Sequence, residues 1–444
     1  MDKVAYAEQL KKLSDRLVEI QRPIRILDAI KWPPGTEARY LAAGGKQLPE
    51  INVDTYQHTE LAFSLNTKRD ELKFLHDDIK RQLGEQDRLG RILSDTTEQF
   101  LIVMDLLEAR GKPEFLTYSQ KLYGSARDHL RGDKKTLIEL GEQLCRVFSL
   151  PAAKKLATKH ERNIDAPQAV IYLKERLRSY FPEGEVNVIL SDGIVSDAAA
   201  GGDSIKLNST RQFSQRDLHV LEVHEGWVHV ATTLNGRRQP YATWLSMGSP
   251  RITAIQEGLA VLLETLTFSS FPGRARRISD RVMAIDMAER GANFNEVYQY
   301  FLARDLTEHD SYVIAQRVFR GGQVEGGSCF TKDISYTKGL IETVNFIRSA
   351  ITSGVPEILS TLFVGKVTLD DVPVLYEYTL EGLIQEPTYM PEIFRDLCGL
   401  YTWFGFSSGL ALVDLDSVQA HFEELFAQLP ERQAVIAPTE DTEL

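Results

Sequence analysis

Residues 224–229 read His-Glu-Gly-Trp-Val-His, and one helix later the chain carries Gln256-Glu257-Gly258-Leu259-Ala260. Two neutral imidazoles and a carboxylate are a ligand set that holds zinc while leaving one position for water, and an acid beside the first histidine can take that water's proton. The implied chemistry is hydrolysis. His224, His229 and Glu257 are therefore the candidate ligands, Zn2+ the candidate cofactor, and Glu225 the candidate general base.

The spacing dictates what the supporting elements must do. Each residue of an α-helix turns about 100°, so partners five apart diverge by about 140°, whereas partners four apart share a face. Bringing His224 and His229 to one metal requires a locally widened helix, most simply a π-turn that absorbs one residue, and Gly226 within the interval tolerates it. Ser214-Gln215-Arg216-Asp217 has the form of a capping box, which starts this helix near Ser214; Asn235-Gly236 suits its C-terminal cap. The next helix begins at Ser249-Pro250, and Ile252, Ile255, Leu259, Leu262, Leu263 and Leu266 form its apolar stripe. Glu257 lies off that stripe among Ala254, Gly258, Ala260 and Val261, so the helix is expected to be buried nearly all round. A carboxylate there needs a cation or several donors. Gly258 would let this helix approach the histidine helix closely, and Glu264 is placed to accept from a ligand histidine.

The rest of the chain supplies a frame. Its 444 residues, 43% hydrophobic and 26% charged, suit a water-soluble globular protein of two or three domains. From residue 1 to about 165 the pattern is helix after helix, with apolar positions such as Leu61, Leu65, Leu72 and Leu75, or Leu101, Val103, Leu106 and Leu107, punctuated by Gly111-Lys112-Pro113, Gly124 and Gly132-Asp133. Residues 166–430 form the second unit, in which a helix over Val170–Tyr180 precedes strands at Val186–Leu190 and Ser204–Asn208 before long helices resume. Residues 431–444 read as a loose tail. The expected class is mainly α, with a small sheet. The strand Ser204–Asn208 is either structural or the edge to which an extended peptide adds.

Several classes are excluded by composition. No apolar run is long enough for a membrane span, and the charged amphipathic start is no signal peptide, so the expectation is a cytoplasmic protein without a membrane partner. A net charge of −12 opposes nucleic-acid binding. The small basic clusters Arg237-Arg238 and Arg274 with Arg276-Arg277 read as solvated surface. Cys145, Cys329 and Cys398 are too few and too scattered for a disulfide framework. The oligomeric state is left open.

Together, HExxxH, QEGLA and the later Gly326-Gly327-Ser328-Cys329-Phe330-Thr331-Lys332-Asp333 with Tyr336 and Gly339 resemble the QEGLA-motif proteins. These are bacterial relatives of the microtubule-associated tyrosine carboxypeptidases, and some carry the name flavohemoglobin expression-modulating protein. The resemblance is strong over residues 165–355 and weak before them. It implies a gluzincin-like metallopeptidase fold, zinc on His224, His229 and Glu257, Glu225 as catalytic base, and a peptide or protein C-terminus as substrate. Tyr336 is then the candidate oxyanion donor. Arg320, Lys332 and Arg251 are the candidates for holding a terminal carboxylate, Arg320 first because Gly321-Gly322 allows close backbone approach. A metal-binding regulatory protein without turnover, and an endopeptidase or amidase, are the competing readings.

Overall fold

The computed structural model describes residues 2–157 and 160–427. The expected tail over 431–444 lies outside the described residues. The chain is mainly helical, with two small sheets among the described residues. In the first 160 residues the longest helices are Lys3–Gln21, Leu65–Leu83 and Arg88–Glu108. Leu72 and Leu75 are buried, as are Val103, Leu106 and Leu107, while Leu61 precedes the Ser64 cap of its helix. One continuous apolar core runs from Leu10 in the first of these helices to Phe404 near the C-terminus. The early helices thus pack against the later ones, and site-bearing helices are held from both ends of the sequence. A smaller core, from Ala166 to Tyr389, lies under the sheet.

The helix expected over Val170–Tyr180 runs from Ala166 to Arg178. It starts earlier because Asp165 caps it, exchanging hydrogen bonds with Gln168, and Pro167 sits in the first turn where its missing N–H costs nothing. Strands β1 (Ile164–Asp165) and β5 (Gln212–Phe213) pair antiparallel. The other sheet contains β2 (Asn187–Ser191), β3 (Ala198–Gly201) and β4 (Ser204–Asn208) in the order β2-β4-β3. β4 pairs parallel to β2 and antiparallel to β3. The strand Ser204–Asn208 is therefore central, and a peptide adding to the sheet cannot pair there. β3 is an edge.

Ser214 caps the histidine helix with a complete capping box to Asp217. The helix is α over Gln215–Leu221, π over Glu222–Val230 and α again over Ala231–Arg237. The widened segment coincides with the interval between the histidines, where the five-residue spacing requires it. Two threonines satisfy carbonyls where it ends: Thr232 Oγ1 donates to Val228 O and Thr233 Oγ1 to His229 O, both at 2.7 Å. Gly226 makes room for the helix Ala166–Arg178, since a Cβ there would press on Leu177. Gly236 is not a cap. It lies within the last turn, and a Cβ there would strike the Leu245 backbone, so its use is close packing.

Ser249 and Pro250 begin a short 3-10 turn that runs into the helix Thr253–Leu266. This helix crosses Ser335–Thr352, and Gly258 meets Gly339 at the crossing. The close approach expected of Gly258 thus serves the helix that carries Tyr336, not the histidine helix. Cys145, Cys329 and Cys398 are free thiols. No described helix is long and apolar enough to cross a membrane.

Candidate metal centre

The π-turn brings the two imidazoles edge to face, with ring centroids 4.8 Å apart. Both aim Nε2 at one oxygen of Glu257: His224 Nε2 is 3.2 Å and His229 Nε2 3.6 Å from Oε2. Zinc bonds of about 2.0–2.1 Å in tetrahedral array put neighbouring donor atoms about 3.3 Å apart, close to both histidine–glutamate separations; all three ligand atoms lie within 4.8 Å of one another. They are the residues that gather metal-type ligand atoms among those described.

Their far sides are also held. His224 Nδ1 lies 2.7 Å from Glu264 Oε1, and Arg274 grips both oxygens of Glu264, Nη2 to Oε1 at 2.9 Å and Nε to Oε2 at 3.2 Å. Glu264 is fully buried. Burial would raise its pKa, yet Arg274 and then His224 outweigh that and bring it down to about 2. His229 Nδ1 is 3.4 Å from Gln256 Oε1, which also accepts from Thr232 Oγ1 at 2.9 Å. Each ring is thereby set with Nε2 toward the ligand cluster. Burial opposes charge on His224, but the carboxylates of Glu257 and Glu264 push its pKa up to about 10. The same field that favours a proton there favours a divalent cation in its place.

Glu225, next to the first ligand, is buried, and its Oε2 accepts the Ala200 N–H of edge strand β3 at 2.8 Å. The backbone of β3 thus fixes the orientation of the carboxylate. Tyr336 stacks on His224, with ring centroids 6.3 Å apart and planes 20° from parallel. Lys332 Nζ is 3.5 Å from Glu257 Oε1. These two residues ride the chain that Gly258 and Gly339 bring in.

The remaining candidates sit differently. Arg251 is committed to Asp371 through both terminal nitrogens, at 2.8 and 3.1 Å. Arg320 is buried with its guanidinium over the Phe330 ring. The expected solvated cluster at Arg274 and Arg276 is instead largely buried, Arg274 on Glu264 and Arg276 on Asp280 at 3.4 Å. Two further residues sit beside the candidate ligands. Gln256 is one. The other is Lys366, whose Nζ lies 3.5 Å from His229 O and 3.4 Å from Gln256 Oε1. Burial lowers its pKa to about 8, with Glu257 and Glu225 pulling the other way. Its one signal is a lone lysine inside the apolar run Leu362-Phe363-Val364-Gly365-Lys366-Val367.

His224, His229 and Glu257 thus form a group that could hold a metal ion, with the buried Glu225 held at a strand edge beside it. The chain belongs to the microtubule-associated tyrosine carboxypeptidase family, whose model matches residues 38–411. Among solved structures it is similar to the crystal structure of an M32 carboxypeptidase from Deinococcus radiodurans R1. That similarity has a TM-score of 0.41 at 12% identity, covering 90% of this chain and 99% of the other. No individual curated protein is significantly similar in sequence.

Proposed function

We propose that this protein is a zinc-dependent metallocarboxypeptidase that releases the last residue of a peptide or protein chain. Residues 166–430 would carry the catalytic unit and 1–165 the helical region that supports it. The observation that carries this reading is the convergence of His224 Nε2, His229 Nε2 and Glu257 Oε2 across a widened turn, at separations of 3.2 and 3.6 Å. Membership of a carboxypeptidase family supports it. A zinc ion held there supplies Lewis acidity toward a water molecule and the scissile carbonyl.

The protein's own groups do the rest. Glu225, fixed by the Ala200 N–H, accepts a proton from the attacking water and delivers it to the leaving amine. The hydroxyl of Tyr336, carried beside His224, donates to the oxygen that gains charge. Glu264 and Gln256 hold the histidines in place by their Nδ1 atoms. Lys332 beside Glu257 adds positive potential where the substrate's negative end approaches.

As substrate we propose a flexible peptide with a free C-terminus. The chain's net charge of −12 is unsuited to holding a strongly acidic polymer such as a microtubule. A mass-spectrometric screen of peptides with varied C-termini, on wild type and Glu225→Gln, tests the reading. Release of single terminal residues by wild type alone is expected, together with about one equivalent of zinc in both proteins. Internal cleavage would discard the carboxypeptidase assignment, and equal activity in the two proteins would remove Glu225 from its role.

A further inference from the structure

Half of the exposed large apolar side chains among the described residues lie between Leu397 and Phe426. They belong to two successive helices, Leu397–Leu410 and Leu415–Phe426, and the turn between them. The first helix contains no charged residue. Its inner side carries Leu400 and Phe404 into the main core. On its outer side Gly399, Thr402, Trp403, Phe406, Ser407 and Leu410 recur at steps of three and four residues and line an open cleft. Phe406 is 74% exposed there and Leu410 70%.

The second helix is amphipathic, and its apolar side is left in water. Leu415, Val418, Phe422 and Leu425 alternate three- and four-residue steps, the spacing of a seam that packs on another helix, and Phe426 extends the stripe. All five are exposed. The stripe therefore does not lie in the cleft of its own chain, although only residues 411–414 separate the two helices.

A cleft and a stripe on one chain, both uncovered, are a pair that a second copy completes. With Tyr401, Trp403, Phe406, Phe422 and Phe426 and the leucines between them, the exposed apolar surface is on the order of 1,000 Å². The largest apolar patch on a typical monomer is about 300–600 Å², and a standard interface takes about 800 Å² from each partner. The charges agree. Arg348, at the edge of the cleft, spends Nε and Nη2 on the Ser407 hydroxyl and not on a carboxylate. Glu423 flanks the stripe and accepts from the neutral Gln419 amide. A bilayer surface fits less well, because helices that lie on membranes carry Lys and Arg beside the apolar face, and Leu415–Phe426 carries neither.

We propose that two copies of this chain dimerise by exchanging the helix Leu415–Phe426. The stripe of one protomer fills the cleft of its partner, with Glu423 set against Arg348 across the contact, and the twofold arrangement covers both stripes and both clefts.

Sedimentation velocity on the whole chain over a concentration series tests this. A concentration-dependent dimer is expected. Phe406→Glu in the cleft and Phe422→Glu in the stripe should each weaken it at least about 30-fold, the loss expected for an aromatic anchor within an interface. Ile171→Glu, at an exposed apolar position on another helix, should leave it unchanged. Arg348→Glu and Glu423→Arg should each weaken the dimer, and the two combined should restore it. Because these side chains are exposed or at the cleft edge, the thermal midpoint of the monomeric variants is expected to show that they remain folded. A wild type that stays monomeric overturns the proposal, and flotation of that monomer with phosphatidylcholine and phosphatidylglycerol vesicles would give the face to a lipid surface instead. A dimer indifferent to Phe406→Glu and Phe422→Glu, or charge reversals without mutual rescue, would also overturn it.

Discussion

Gly258 and Gly339 are in direct backbone contact: a Cβ on Gly258 would overlap the Gly339 carbonyl, and a Cβ on Gly339 would overlap the Ala254 carbonyl. The crossing joins the helix of Glu257 to the helix of Tyr336. No rotamer change relieves a clash with backbone, so Gly258→Ala or Gly339→Ala must separate the helices, at a cost of about 1–3 kcal/mol or more. Each variant is expected to lower the thermal midpoint by several degrees, read by calorimetry. Each should also lose activity well beyond the loss of folded protein, because Tyr336 and Lys332 move off the ligand cluster.

The bonds at the two Nδ1 atoms lead to a prediction about metal affinity. Glu264→Gln removes the acceptor charge behind His224 and leaves Arg274 without its carboxylate; Gln256→Ala frees the ring of His229. Loss of such a partner typically costs 10–100-fold in metal affinity. Chelator competition should show a decrease of that order for each variant. An unchanged affinity in both would mean that the ligand geometry is held by helix packing alone.

Asp217 provides a test of the start of the histidine helix. It bonds the N–H and hydroxyl of Ser214 and pairs with Arg162 at 3.0 Å. Burial works to raise its pKa, but Arg162 and the Ser214 bonds outweigh that and hold it below its ordinary value. A carboxylate with depressed folded pKa contributes stability that is present above the unfolded value, near 3.9, and is lost as the pH falls through the folded value. Asp217→Asn should therefore cost about 1–2 kcal/mol from pH 5.5 to 8. The gap between denaturant midpoints of the two proteins should start to narrow as the pH falls below about 4 and close as Asp217 is protonated in the folded state; a gap that does not narrow with falling pH would assign the effect to packing.

What could be read in advance follows the range of each interaction. The capping box at Ser214 and the Ser249-Pro250 start are local, and so is the widened turn, which follows from helix geometry once one metal is assumed. Partners far apart in the chain leave no such trace. Nor does burial: Arg274 and Arg276 pair with Glu264, ten residues back, and Asp280, four residues on, yet look like surface charge because nothing local shows that these acids are buried. Ser204–Asn208 has the alternation of any strand, and only its pairing with both β2 and β3 makes it central. Gly236 resembles a cap, but the Leu245 backbone explains it. Lys366 meets His229 and Gln256 from more than 100 residues away, and nothing beside it in the chain points to the site.

Tyr336 offers the cleanest separation of packing from catalysis. Its ring neighbours the His224 ring at 6.3 Å and the Arg281 guanidinium at 4.3 Å, so Tyr336→Phe keeps both contacts and removes the hydroxyl alone. If that hydroxyl donates to the oxyanion, it acts in the transition state and not in the ground state, and its loss falls on kcat. A decrease in kcat of about 100- to 1,000-fold is expected, with KM within a few-fold of wild type. Thermal stability and zinc content should be unchanged, because neither ligand histidine is disturbed. A variant with wild-type kcat would reduce Tyr336 to a packing residue beside His224, and the donor would then have to be sought at Lys332.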